Sequence, residues 1–78
     1  MSSEITRHAA GQLRAVMGVR RMTVASLAEL LGVTPKTAAR LSRGDREWTL
    51  AHLGEVSQLM GIPVAELLGI SSDEAVAE

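Results

Sequence analysis

The apolar positions of the chain fall into five short amphipathic stretches, separated by glycine, proline and hydroxyl residues, as in a small all-α protein. Ile5, Ala9, Leu13, Val16 and Met17 recur at helical spacing and make the inner face of a first helix. Ser2 or Ser3 opens it, and its end falls near Arg20 or Arg21. Gly11 and Gly18 each weaken it by up to about 1 kcal/mol relative to alanine. Val24, Leu27, Ala28 and Leu31 form the inward stripe of a second helix, while Leu30 extends that core or lies partly exposed. A third helix ends at Gly44, and the polar loop Asp45-Arg46-Glu47 follows. Thr49 caps a fourth helix running to about Met60, with Leu50, Leu53, Val56 and Met60 facing inward and Gly61 as its stop. Trp48 and Leu53 flank that cap in the arrangement of a hydrophobic staple, which favours a core place for Trp48 over a dimer or phosphate contact. A fifth helix covers about residues 64–68, where Val64, Leu67 and Leu68 close the core. Residues 71–78 form an acidic tail, read as a frayed helical turn or an unstructured end.

The segment TVASLAELLGVTPKTAARLSRG, residues 23–44, changes this picture from five helices to a functional unit. Thr23 and Thr34 each stand where a hydroxyl accepts from the free N–H groups of a helix start. Pro35 falls at the first helical position, where a missing N–H costs nothing. Leu31-Gly32-Val33 is a turn short enough to force a steep crossing of the two helices. This is a helix-turn-helix, which places its second helix in the DNA major groove.

Seventy-eight residues make one small domain, near the lower limit for a core that folds alone. Cysteine, phenylalanine and tyrosine are absent, so the core is aliphatic apart from Trp48 and has no disulfide or thiolate site behind it. His8 and His52 lie far apart without partners at metal spacing, and read as surface histidines; neither a metal nor a cofactor is implied. No run approaches a membrane span and the N-terminus lacks the pattern of a signal peptide, so a cytoplasmic protein, associated with the nucleoid through DNA, is expected.

The net charge of −1 hides a segregation. All eight basic residues lie between positions 7 and 46, where only Glu29 and Asp45 oppose them, a balance of +6. From Glu47 onward there are six acids and no Lys or Arg. One half can face phosphates while the other stays off DNA.

The chain resembles the lambda-repressor-like, Cro/repressor-type (XRE-type) helix-turn-helix family. The likeness rests on Leu27-Ala28, Leu31-Gly32-Val33, Thr34, Ala38 with Leu41, and Arg43-Gly44, and continues into LAHLGEVSQLMGIPVAELL. It covers about residues 5–68 and implies a compact five-helix fold, with residues 1–70 as the DNA-binding domain. Departures are the connection at Arg21, near which many relatives carry glycine, Val24 where they often have Gln, Pro35 where many carry Gln or Arg, Leu30 at a usually polar position, and Pro63 in place of a capping serine.

The resemblance implies base contacts from Pro35, Lys36, Thr37 and Arg40. Lys36 and Arg40 are four apart and share a face. Arg40 can give two parallel bonds to guanine O6 and N7, and Lys36 single ones; phosphate contact without base reading is the alternative for both. Pro35 offers only its ring, for apolar contact or structure. Thr37 suits a thymine methyl or a phosphate. Phosphate contacts are implied for Thr23 and Thr34 at the two helix starts, for Arg43, and for Arg46 and Arg21. Arg14 and Arg20, like Arg21, serve phosphate or solubility equally well.

The leading expectation is a sequence-specific regulator of double-stranded DNA, a small repressor of the phage Cro or immunity-repressor sort that acts by occupancy. A homodimer on a two-fold operator follows from the little that one short helix can read, with Ile62, Val64, Ile70 and Val76 as its apolar surface. No ligand-sensing region is expected, hence no small-molecule effector, and no membrane partner. The alternative is an antitoxin-type protein-binding module that also represses its own operon, which the short tail disfavours. An enzyme is the least favoured class, because no catalytic set or phosphate-binding glycine loop is visible.

Overall fold

The computed structural model describes residues 3–69, and Ile70, Val76 and the acidic tail lie outside them. Five helices follow in order: α1 (Glu4–Arg20), α2 (Val24–Leu31), α3 (Pro35–Arg43), α4 (Leu50–Met60) and α5 (Val64–Leu68). There is no strand among the described residues, so the all-α reading holds. Four of the starts are fixed by hydroxyl caps. Ser3, Thr23, Thr34 and Thr49 each accept from the backbone N–H three residues on. Pro63 opens α5 with no side-chain cap, as its chemistry requires.

α1 is the strut of the fold and packs on α3, α4 and α5, while α2 packs on α3 and α4. The core gathers Ala9, Ala10, Leu13, Leu27, Ala28, Ala38, Leu41, Leu53, Val56, Met60 and Leu67, closed by Trp48 and Ile62. Val16, Val24, Leu31 and Leu68 contribute as partly buried residues at its margin. Two arginines of α1 bind carbonyls at the ends of other helices: Arg14 Nη1 donates to Ser42 O at 2.7 Å and Arg20 Nη2 to Met60 O at 2.7 Å. Each places a cation where helix carbonyls lack partners, which the helix dipole favours. Each bond ties one donor of an exposed guanidinium into the fold.

Three apolar positions depart from the expected pattern. Ile5 is 51% exposed, because Thr6 instead turns inward to meet the α3–α4 loop. Ile5 lines a shallow concavity with Glu4, His8, Leu68 and Gly69. Leu50 is 86% exposed, since it lies about a quarter turn from the stripe of Leu53, Val56 and Met60. Val64, expected to close the core, is 42% exposed at the start of the five-residue α5. A fourth correction concerns assembly. Ile62, assigned to a dimer surface, is 3% exposed within the core and is not available to a partner.

The loop after α3 is held by its neighbours. Trp48 N–H donates to Thr6 Oγ1 at 2.9 Å and Trp48 Nε1 donates to Leu41 O at 3.0 Å, so the tryptophan is both core and tie. Beside it the Glu47 carboxylate accepts from Ser3 N–H. That backbone bond, with help from the Ser3 and Thr6 hydroxyls, holds the Glu47 carboxyl below its ordinary value of 4.5. A group whose folded pKa is depressed stabilises above its unfolded pKa, and that contribution is lost as pH falls through the folded value. Wild type should therefore melt above Glu47→Gln at neutral pH, and the gap should close on acidification below pH 4.5. Melting curves of the two proteins against pH test this; a gap independent of pH would contradict it.

Candidate nucleic-acid interface

Backbone conformation sets how α2 and α3 meet. Gly32 ends α2 in the left-handed region at φ 71°, a geometry that glycine adopts without a Cβ penalty. Val33 N–H then donates to Ala28 O at 3.0 Å, and Thr34 caps α3 one residue later. The turn is therefore closed by its own hydrogen bonds. A second left-handed residue, Arg21 at φ 54°, ends α1 just before this unit and is the only non-glycine with positive φ among the described residues. The chain thus makes this left-handed turn with an arginine, and Met22 N–H donates back to Met17 O at 2.8 Å to hold it.

α3 has two unlike edges. Ala38, Leu41 and Ser42 are buried against the core. Lys36, Arg40 and Arg43 are all exposed on the other side. Their spacing of four and three residues puts the three cations in one stripe, extending about 10 Å along the helix. Pro35 is exposed at the first helical position, and Thr37 is half-buried beside the cap. Thr37 N–H donates to Thr34 Oγ1 at 3.2 Å, and the Thr34 hydroxyl donates to Thr37 Oγ1 at 3.1 Å. Thr23 and Ser26 repeat this arrangement at the start of α2. The N3 hydroxyls of Ser26 and Thr37 thus accept from the cap hydroxyls, and neither helix has an acid in its first turn. The N-terminal dipoles of α2 and α3 remain uncompensated, a favourable surface for anions.

Gly44 follows α3 at φ 76°, where an added Cβ would stand 3.3 Å from Ala10 Cβ. This close approach seats the end of α3 against α1 and leaves Asp45 and Arg46 exposed beyond it. Arg43 Nε donates to Asp45 Oδ2 at 2.8 Å. Lys36, Thr37, Arg40, Arg43, Thr34 and Pro35 thus come from one helix and its cap, and Arg46 from the loop that follows. Thr23 and Arg21 stand at the preceding helix start, both exposed. Nothing in the sequence pattern marks Asp45 as a partner of Arg43, because a pair two residues apart meets only through the left-handed turn at Gly44. His8 Nε2 lies 3.1 Å from Glu66 O, and His52 Nδ1 accepts from Thr49 N–H to complete the cap of α4. Both histidines have structural roles in helix ends.

Two consecutive helices, the second with one edge buried and a cationic edge exposed, define a helix-turn-helix DNA-binding domain. The chain belongs to the Cro/C1-type HTH DNA-binding domain family, whose model matches residues 12–73. No curated protein and no solved structure gives a significant match. No helix among the described residues is long and apolar enough to cross a membrane.

Proposed function

We propose that this protein is a sequence-specific repressor that binds double-stranded operator DNA as a homodimer and acts by occupancy. The observation that carries the reading is the exposed stripe of Lys36, Arg40 and Arg43 on a helix whose opposite edge is core. In this reading Lys36, Thr37 and Arg40 meet base edges, with Pro35 in apolar contact. Arg43, Arg46, Arg21 and the helix starts at Thr23 and Thr34 meet phosphates. Two chains sit about one helical turn apart on a two-fold site, since one short helix reads only a few base pairs. Val64, exposed at the start of α5, remains available for the contact between chains, and Ile70 lies beyond the described residues.

Arg40 and Arg43 should fail differently, because bases carry sequence and phosphates carry mostly affinity. Arg40→Ala should cost about 1–3 kcal/mol on the preferred site and flatten base preference at one position per half-site. Arg43→Ala should weaken all duplexes by similar factors and make the salt dependence shallower. Binding of each variant to a panel of single-base operator changes separates the two. If both keep the wild-type preference, α3 is not the reading element.

A further inference from the structure

Asp45 is the single acid among residues 30–46, in the middle of the surface argued above to face phosphates. An unpartnered carboxylate there would oppose binding. Its place in the fold, however, is tightly specified. Asp45 N–H donates to Arg40 O at 3.0 Å, which ties its backbone to the last turn of α3. Gly44, just before it, is pressed against Ala10 of α1. The carboxylate is thus carried on backbone fixed from both sides, while Arg43 is the last residue of α3 itself.

The contact between them uses one edge of the guanidinium. Asp45 Oδ2 accepts from Nε of Arg43, and the guanidinium makes no other bond among the described residues. Of the five N–H donors of an arginine, the four on Nη1 and Nη2 remain for a ligand. Those are the donors that form two parallel bonds to a phosphate. The pair is more than half exposed on both sides, 59% and 57%, so it adds little to the stability of the fold. Its larger effect is on freedom. An arginine free in solvent loses much rotamer entropy when it docks on a phosphate, and one already held by Nε loses less.

We propose that Asp45 is a positioning residue for DNA binding, holding Arg43 by Nε so that Nη1 and Nη2 are presented to a backbone phosphate beside the bases read by α3. The inference rests on the DNA-binding reading and specifies how one of its phosphate contacts is prepared. It predicts an effect opposite in sign to simple electrostatics. Removing an anion near DNA should tighten binding if charge alone matters. If orientation matters more, removing it weakens binding.

The experiment is a double-mutant cycle on an operator duplex selected by the wild-type protein, measured by fluorescence anisotropy at several salt concentrations. Asp45→Ala should weaken binding by about threefold per subunit, the scale of an exposed ion pair, and reduce the salt slope. Asp45→Asn, which keeps a neutral acceptor for Nε, should fall between. In an Arg43→Ala background Asp45→Ala should bring no loss, and relief of repulsion should tighten binding slightly. Thermal melts should place both Asp45 variants close to wild type, which separates positioning from folding. Binding by Asp45→Ala equal to or tighter than wild type would overturn the proposal, as would an equal loss with and without Arg43. Either result leaves the DNA-binding reading standing, whereas a wild-type protein that binds no duplex removes both.

Discussion

Raising the monovalent salt concentration tenfold will weaken binding of this protein to duplex DNA by more than about four orders of magnitude. Each neutralised phosphate contributes about −0.9 to the slope of log K against log salt. Arg43, Arg46 and the starts of α2 and α3, taken over two subunits, bring the slope beyond about −4. Arg14 and Arg20 are not counted in it: they lie on α1, outside the helix-turn-helix, and donate to Ser42 O and Met60 O. Counting charges along the chain would have included them. A titration of one labelled duplex across a series of salt concentrations measures the slope directly. A slope near zero would favour a protein-binding module over a DNA-binding one.

The largest effect on stability is expected at Trp48. Replacing it with alanine should cost about 3–5 kcal/mol, the range for removing a buried large aromatic side chain. For a domain this small that is a large share of the total, and the melting temperature should fall by more than about 12 °C. The loss has two sources. The ring is 8% exposed in the core, and Nε1 donates to Leu41 O, which ties the α3–α4 loop to α3. Trp48→Phe keeps most of the ring and loses the donor. Leu41 O still accepts from Gly44 N–H, so that variant should cost only about 1 kcal/mol beyond its smaller volume. The wild-type transition can be followed by the fluorescence of Trp48, the sole aromatic of the chain other than histidine. A Trp48→Ala protein melting within about 3 °C of wild type would place the ring outside the core.

The helices and their starts were legible in the sequence because hydroxyl caps and glycine stops act over three or four residues. Ser3, Thr23, Thr34 and Thr49 each cap where the pattern puts them, and Gly32, Gly44 and Gly61 end their helices in the left-handed region. The faces were less legible. Ile5 and Leu50 have the right residue type for the core, yet Ile5 lies at its margin beside the end of α5 and Leu50 faces outward. Thr6 is the wrong type, yet it is buried because its hydroxyl accepts the N–H of Trp48, 42 residues away. Periodicity carries no information about such long-range partners. Ile62 looked available for the same reason, since a residue just past a helix stop gives no periodic signal of its burial. In the candidate interface, the cationic stripe of α3 could be read from spacing alone. The role of Asp45 could not, because it depends on how Gly44 folds the chain back beside Arg43.

Selection of duplexes from a random pool by the wild-type protein, followed by a footprint of the enriched sequence, tests the central claim most directly. The account predicts a two-fold symmetric site with half-sites about one helical turn apart, each read by one α3. Protected phosphates should flank each half-site where Arg43 and Arg46 fall. A pool that returns without enrichment, or an enriched sequence with no symmetry that is bound by one chain, would contradict it.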